Sequence, residues 1–214
     1  MLACGAAVAD WIAVSSTSPT LARLELVAKP LVPLALVGVA ITSTGPSLGA
    51  QLLLIAALLA CCAGDVALML DGPDRPLFLP GLGAFLVGQL FFAATFAIGS
   101  DGRFLTGFVI VAVLFTGPMT LVIRRVAAEH RSLLGPISVY VVAIVLMASL
   151  AVAYGFEPGL RPKAALAGGL LFVASDALLA INRFVRPFKH STLAVHATYH
   201  LAIIGLTVGV MTPR

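Results

Sequence analysis

Charged residues are scarce in this chain, and their scarcity decides its broad class. Asp, Glu, Lys and Arg make up 10% of the 214 residues, whereas hydrophobic residues make up 60% and the mean hydropathy is +1.09. A soluble globular domain carries about 25% charged residues, so this chain has too little polar surface to face water on all sides. Disordered, collagen-like, coiled-coil and disulfide-rich secreted proteins are excluded by the same composition. The sequence therefore predicts an integral membrane protein.

Cysteine and clustered basic charge are also sparse. The three cysteines, Cys4, Cys61 and Cys62, lie in apolar runs without the Cys or Cys/His spacing of a zinc site. The formal net charge of +4 comes from basic residues that stand singly between apolar segments, which is not typical of a nucleic-acid-binding surface. We therefore expect no nucleic-acid partner, no resident metal and no cofactor.

Apolar segments of helical length are what the chain has in abundance. A helix needs about 20 apolar residues to cross a bilayer. The predicted spans are 2–15, 25–42, 48–70, 77–99, 104–123, 132–154, 162–182 and 190–211. The first span is the weakest, because it is short and contains Asp10 and Trp11. We predict an all-α integral membrane protein with about eight transmembrane helices, forming a single polytopic domain over residues 1–214.

Lys and Arg are divided unevenly between the two sides of this predicted bundle. Nine follow helices one, three, five and seven: Arg23, Lys29, Arg75, Arg124, Arg125, Arg131, Arg183, Arg186 and Lys189. Four lie on the other side: Arg103, Arg161, Lys163 and Arg214. Because cytoplasmic loops carry the excess of Lys and Arg, both termini are predicted to be non-cytoplasmic.

A weak internal match relates the two halves of the chain at an offset of 111 residues. Ala63-Gly64-Asp65 then aligns with Ala174-Ser175-Asp176, and Arg75-Pro76 aligns with Arg186-Pro187. An offset of four helices preserves the orientation, so the match predicts two parallel four-helix repeats, 1–103 and 104–214. Chance alignment of two similar helix ends is the alternative.

Polar residues inside the predicted spans are the candidates for function, because they are costly in lipid and usually functional. Asp65 and Asp176 each lie about 8–10 Å from the cytoplasmic end of their helices. Similar depths are predicted for Lys29, Gln89, Tyr140, Ser175, His196, Tyr199 and His200. The layer indicates an enclosed site nearer the cytoplasmic leaflet, with Asp65 and Asp176 as the catalytic pair and the other seven contacting substrate.

Each of these residues also has a purely structural interpretation. The two aspartates could be buried helix-packing groups, and Lys29 could extend its ammonium group to the interface. The histidines could be satisfied polar residues of the core, and the tyrosines could belong to an aromatic belt at the membrane surface.

Five short motifs resemble those of a known membrane protein family. They are KPL at 29–31, AGDVAL at 63–68, FLPGLGAFLVGQ at 78–89, GGLLFVASD at 168–176 and ATY at 197–199. In this order they resemble the YhhN-like membrane protein family, whose characterised members are lysoplasmalogenases. The resemblance extends from the second to the eighth predicted helix, and the two Asp-bearing motifs are its most specific part.

The resemblance implies hydrolysis of the vinyl-ether bond of a lysoplasmalogen, a lysophospholipid supplied by the surrounding membrane lipids. The products would be a fatty aldehyde and glycerophospho-ethanolamine or -choline. Protonation of the alkene carbon and attack by water require one carboxylic acid and one carboxylate, as in glycoside hydrolysis. Asp65 and Asp176 could supply both without a metal. Lys29, with Arg75 or Arg186, could hold the lipid phosphate.

Three other functions fit parts of the same pattern. A metal-dependent lipid hydrolase would use Asp65, Asp176, His196 and His200 as zinc ligands, although no HExxH motif accompanies them. A lipid or small-molecule transporter would use the acids for proton coupling, and it should show broken helices near them. An intramembrane aspartyl protease would also use two aspartates.

Overall fold

The structure, a computed structural model, describes residues 1–16, 19–98 and 102–211, with the side chains of 19–22 left aside. Helices dominate these ranges. The α-helices are α1 (Leu2–Ser15), α2 (Pro19–Thr42), α3 (Leu48–Met69), α4 (Phe78–Ala97), α5 (Phe104–Glu129), α6 (Leu134–Tyr154), α7 (Leu160–Ala180) and α8 (Ser191–Val210). A 3₁₀ turn (Arg131–Leu133) precedes α6, and a π-helical turn (Ile181–Val185) extends α7. The prediction of an all-α fold is confirmed.

Seven helices of the described ranges, α2 to α8, are long and apolar enough to cross a membrane. The first helix, α1, has 14 residues and is therefore about 21 Å long, which is shorter than the hydrocarbon core of a bilayer. It packs against α2 and α8, so its buried face belongs to the bundle. The chain is a multi-pass membrane protein.

Two helices extend beyond their predicted bounds into the basic segments. The predicted end of the fifth span at residue 123 was wrong by six residues, because the helix continues through Arg124 and Arg125 to Glu129. Arg125 and Glu129, one turn apart, form a 2.6 Å ion pair that suits a helix end in water. On the same side of the bundle, α2 begins at Pro19 rather than at residue 25.

Glycines bring α7 and α8 into close contact. A Cβ atom on Gly168 would lie 2.6 Å from the backbone nitrogen of Leu206, and one on Gly205 would lie 2.7 Å from the carbonyl oxygen of Ala164. Small residues allow helix backbones to approach closely in membranes, where packing rather than water exclusion holds helices together. This contact fixes the position of α8 relative to Asp176 on α7.

The π-helical turn after α7 changes the direction of the last side chains on that helix. Such turns are frequent at functional sites, because the extra residue rotates the side chains after it relative to the preceding helix face. Here the turn includes Phe184, which is buried, and it places Arg183 beside the Phe78 ring at the start of α4. This contact connects the start of α4 with the end of α7, on the side that the distribution of Lys and Arg predicts to be cytoplasmic.

Candidate active site

A cavity of about 260 Å³ is enclosed by seven helices, α2 to α8, and each of them contributes residues to its wall. Its apolar wall includes Phe85 and Ile144, and its polar wall carries side chains of both signs. The polar wall consists of Glu25, Lys29, Asp65, Tyr140, Ser175, Asp176, Arg183, His196 and Tyr199. A largely apolar cavity with a few convergent polar groups is typical of a binding or active site.

Asp65 is fully buried in α3 and holds two contacts of different kinds. The Tyr199 hydroxyl donates a hydrogen bond of 2.7 Å to Asp65 Oδ2. The Lys29 ammonium lies 3.7 Å from Asp65 Oδ1, and the Lys29 side chain is itself 10% exposed. An ammonium group at this distance stabilises the ionised carboxylate, since both groups are removed from water.

Asp176, on α7, is less buried than Asp65 and faces the same cavity. The Tyr140 hydroxyl donates a hydrogen bond of 2.5 Å to Asp176 Oδ2. Within the described residues, Asp176 forms no ion pair with a Lys or Arg. The two carboxyl groups therefore have matching tyrosine partners but different charge environments.

His196 connects the cavity to an acid that sequence reasoning did not select. Its Nδ1 lies 2.8 Å from Oδ2 of Asp10, a fully buried residue of α1. Its Nε2 points toward Glu25, 4.0 Å away on the cavity wall. We interpreted Asp10 as a sign of a weak first span, although a lone acid in an apolar helix was the signal that could have identified it.

The structure brings seven of the nine predicted site residues to the cavity wall and places two behind it. Ser175 lines the cavity, and its hydroxyl donates to the Val195 carbonyl at 2.9 Å. Gln89 is fully buried beside Tyr140, and His200 is fully buried against the Trp11 ring. Both lie outside the cavity wall, and their contact with substrate stays a prediction.

Arg183 is a second residue that sequence reasoning did not place in the site. Its guanidinium carbon lies 3.9 Å from the centroid of the Phe78 ring, and Nη1 lies 3.1 Å from Oδ2 of Asp71. We expected Arg75 or Arg186 to hold a phosphate group, but both are exposed and neither lines the cavity. Residue 183 stands seven positions after Asp176, so regular helical spacing already puts both on one face, and this spacing was the signal that could have identified Arg183.

The zinc-ligand set considered from the sequence does not converge. His196 directs its two nitrogens toward Asp10 and Glu25, and each catalytic candidate is bonded to a tyrosine. Across 1–16, 19–98 and 102–211, no group of three or more His, Cys, Asp or Glu residues is arranged to hold a metal ion. The arrangement instead offers two carboxyl groups and an imidazole for proton transfer.

Comparisons with known proteins identify the family to which this chain belongs. The YhhN family model matches residues 24–210, which include all of the cavity-lining residues. A human protein named lysoplasmalogenase TMEM86B is 27% identical over 167 residues, covering 78% of this chain and 66% of the human protein. The chain thus matches just under two thirds of the length of that relative, and no solved structure matches it. Because the family model covers most of the chain, this protein belongs to the YhhN family.

Proposed function

We propose that this protein is a lysoplasmalogenase-type hydrolase that cleaves the vinyl-ether bond of a lysophospholipid. The observation that carries the proposal is the pair Asp65 and Asp176, each bonded to a tyrosine, in one cavity with a largely apolar wall. Membership of the YhhN family and the name of the human relative support the same reaction.

The two aspartates take different roles because Lys29 stands beside one of them. With the ammonium 3.7 Å away, Asp65 is the carboxylate that stabilises positive charge on the substrate. Asp176 has no such cation in the described ranges, and it is the carboxylic acid that donates a proton. A pair of carboxyl groups in different environments is the usual arrangement for acid chemistry through a cationic transition state.

The reaction proceeds from these roles. Asp176 donates its proton to the alkene carbon of the vinyl ether, which leaves an oxocarbenium ion beside the Asp65 carboxylate. Water adds to the oxocarbenium carbon and loses a proton, giving a hemiacetal. The hemiacetal then breaks its bond to the glyceryl oxygen and releases a fatty aldehyde and a glycerophospho-alcohol. Each step needs a proton donor or acceptor and none consumes a cofactor.

The cavity wall suits a single-chain phospholipid. The apolar side chains from α4, α5 and α6 provide the surface for one aliphatic chain. Arg183, whose side chain is 42% exposed, stands where the cavity reaches the surface and offers guanidinium donors to a phosphate. Lys29 lies deeper, beside the reacting group, so in this proposal it acts on Asp65 rather than on the phosphate.

The orientation of the site in the membrane is part of the proposal. Lys29 lies inside α2 and is buried, so without it the sequence still has eight basic residues on that predicted side, against four on the other. This excess still favours the cytoplasm for the end of the cavity that carries the partly exposed side chains of Glu25 and Arg183. The C-terminus would then be non-cytoplasmic, and so would the N-terminus with α1 as an eighth span, with the site nearer the cytoplasmic leaflet.

Fatty-aldehyde release from a lysoplasmalogen by the detergent-purified protein tests the proposal. The assay compares the unmodified protein with Asp65→Asn and Asp176→Asn, with and without a metal chelator. Asp74→Asn is the matched control, because Asp74 is exposed in the loop between α3 and α4. We expect either site variant to lose at least about 10³-fold in rate while the control keeps it.

The other outcomes separate the alternatives. Loss of activity in chelator alone would favour the metal-dependent hydrolase. Absence of aldehyde release from folded protein would overturn the vinyl-ether proposal and favour lipid transport. Equal rates for Asp65→Asn and the control would remove Asp65 from the chemistry.

A further inference from the structure

The contact between α1 and α8 is built from polar groups that the reaction above does not use. Asp10 is fully buried, and its Oδ2 is the partner of His196 Nδ1 at 2.8 Å. The His196 side chain is 6% exposed and reaches the cavity wall from α8. Burying a carboxylate in a membrane protein is costly unless it is paired, so a function is the default interpretation of such a residue.

The surroundings of this pair give each nitrogen of His196 a different environment. The Nδ1 atom faces Asp10, and the Nε2 atom faces Glu25 at 4.0 Å on the cavity side. His200 Nδ1 lies 3.8 Å from the same Asp10 oxygen, and His200 stacks on Trp11. Of these groups, Asp10 and His200 stand behind the cavity, so Asp10 acts on the cavity only through His196.

A carboxylate behind an imidazole fixes both the tautomer and the orientation of the ring. When Nδ1 donates to the carboxylate, Nε2 is left unprotonated and able to accept a proton. The same arrangement holds the histidine of hydrolytic triads, where the carboxylate orients the ring and stabilises the imidazolium that forms. In this protein the unprotonated Nε2 of His196 would face the cavity that contains Asp65 and Asp176.

We infer that His196 is the general base that activates the hydrolytic water, and that Asp10 is the positioning residue that holds His196 in the tautomer this requires. The inference rests on the proposed function and deepens it, because it adds a proton acceptor for the water step. It also assigns α1 a role in the site, although α1 contributes no residue to the cavity wall.

The proton balance of the reaction closes with this residue. Asp176 gives its proton to the alkene carbon, and the water oxygen bonds to the oxocarbenium carbon as His196 Nε2 takes one water proton. When the hemiacetal breaks, the imidazolium returns that proton to the departing glyceryl oxygen. The hemiacetal hydroxyl proton passes to the Asp176 carboxylate, which restores the starting state with one water consumed.

Kinetics of three variants test the inference in the full-length protein. We expect Asp10→Asn to lower kcat at least about 10-fold and up to about 10⁴-fold, the loss that the same change causes in a hydrolytic triad, with KM changed less than about threefold. His196→Gln should lower kcat at least as much. The double variant should be no slower than His196→Gln alone, because Asp10 acts through His196. Thr207→Val, at a buried hydroxyl elsewhere on α8, is the matched control and should keep kcat and KM.

Two further measurements distinguish positioning from folding. Binding of a saturated 1-O-alkyl lysophospholipid, which has no vinyl ether to cleave, should be unchanged in Asp10→Asn. Nitrogen-15 NMR of histidine-labelled protein should show the His196 signal, assigned by its loss in His196→Gln, as the Nδ1-protonated tautomer. That signature should disappear in Asp10→Asn and persist in Thr207→Val.

The outcomes separate this inference from the proposed function. If the unmodified protein releases aldehyde and Asp10→Asn matches it in kcat, the contact of Asp10 with His196 has no catalytic role. Additive losses in the double variant, or an Nε2-protonated His196, would also overturn the inference while leaving the vinyl-ether reaction standing. If the folded unmodified protein releases no aldehyde, the proposed function fails, whereas the tautomer measurement still decides whether Asp10 positions His196.

Discussion

The Tyr199 hydroxyl donates a 2.7 Å hydrogen bond to Oδ2 of Asp65, and this contact joins α8 to α3 in the wall of the cavity. The ring of Tyr199 is held edge-on between Phe85 and Phe172, at 5.7 Å from each ring centroid. Because the ring is held on both sides, the Tyr199 hydroxyl stays in place, and the side chain does not need to move when charge develops on the substrate. The contact is therefore a point at which packing and chemistry can be tested separately.

Tyr199→Phe should lower the rate of aldehyde release about 10- to 100-fold while the protein stays folded. The aromatic packing is kept, but Asp65 loses a hydrogen bond to a charged group, which is worth about 1.5–3 kcal/mol. Tyr154→Phe is the control, because the Tyr154 hydroxyl bonds the Gly209 carbonyl outside the cavity wall. Equal rates for the two variants would show that the Tyr199 hydroxyl does not support the reaction.

Lys29→Met should destabilise the protein more than the paired change Lys29→Met with Asp65→Asn. Removing one partner of a buried ion pair leaves an uncompensated charge and costs about 3–5 kcal/mol, whereas replacing both partners is close to neutral. Thermal unfolding in detergent micelles measures this difference. A double variant no more stable than the single one would contradict the assignment of Asp65 as the charged partner of Lys29.

Arg183→Gln should raise KM for a lysophospholipid about 10-fold with little change in kcat. A guanidinium group binds phosphate through paired hydrogen bonds that glutamine cannot replace. The same variant should show a much smaller effect on a 1-alkenylglycerol, which carries no phosphate. Arg125→Gln, in the exposed pair with Glu129, is the control and should leave both substrates unaffected. A KM effect of equal size on both substrates would exclude Arg183 as the phosphate-binding residue.

Gly168→Ala should destabilise the bundle by about 1–3 kcal/mol, because its new methyl group would meet the α8 backbone at 2.6 Å from the Leu206 nitrogen. Gly38→Ala is the control, since a methyl group there meets open space on α2 and replaces a poor helix former. Thermal unfolding should show the first variant as less stable than the second. The reverse order would mean that α7 and α8 do not pack as described.

The offset of 111 residues found in the sequence also relates contacts in the structure. It carries Lys29 onto Tyr140 and Asp65 onto Asp176, so the contact of Lys29 with Asp65 corresponds to that of Tyr140 with Asp176. It also carries Gln89 onto His200, and both are fully buried behind the cavity. These correspondences favour the proposal that residues 1–103 and 104–214 are parallel repeats. In this proposal the two halves differ at one corresponding position, because Lys29 supplies a charge and Tyr140 a neutral hydroxyl.

Asp10 shows why part of the site could not be predicted. Its partner His196 lies 186 residues away in the chain, and no local pattern records which helices become neighbours. From the sequence alone, the acid Asp10 in a short apolar segment therefore indicated only a weak membrane span. Gln89 gives the opposite case, because its depth on α4 was predicted, whereas its direction, behind the cavity wall, depends on how α4 packs.

The sequence by itself determined the membrane class, the helices and the positions of Asp65 and Asp176 along them, because hydropathy and rise per residue are properties of each segment alone. The tertiary structure alone decided which polar groups share a cavity. It paired Tyr199 with Asp65 and Tyr140 with Asp176, and it placed Arg183 in the cavity wall. Such contacts depend on how each helix rotates about its own axis, which close packing against its neighbours fixes and which a uniformly apolar sequence does not record.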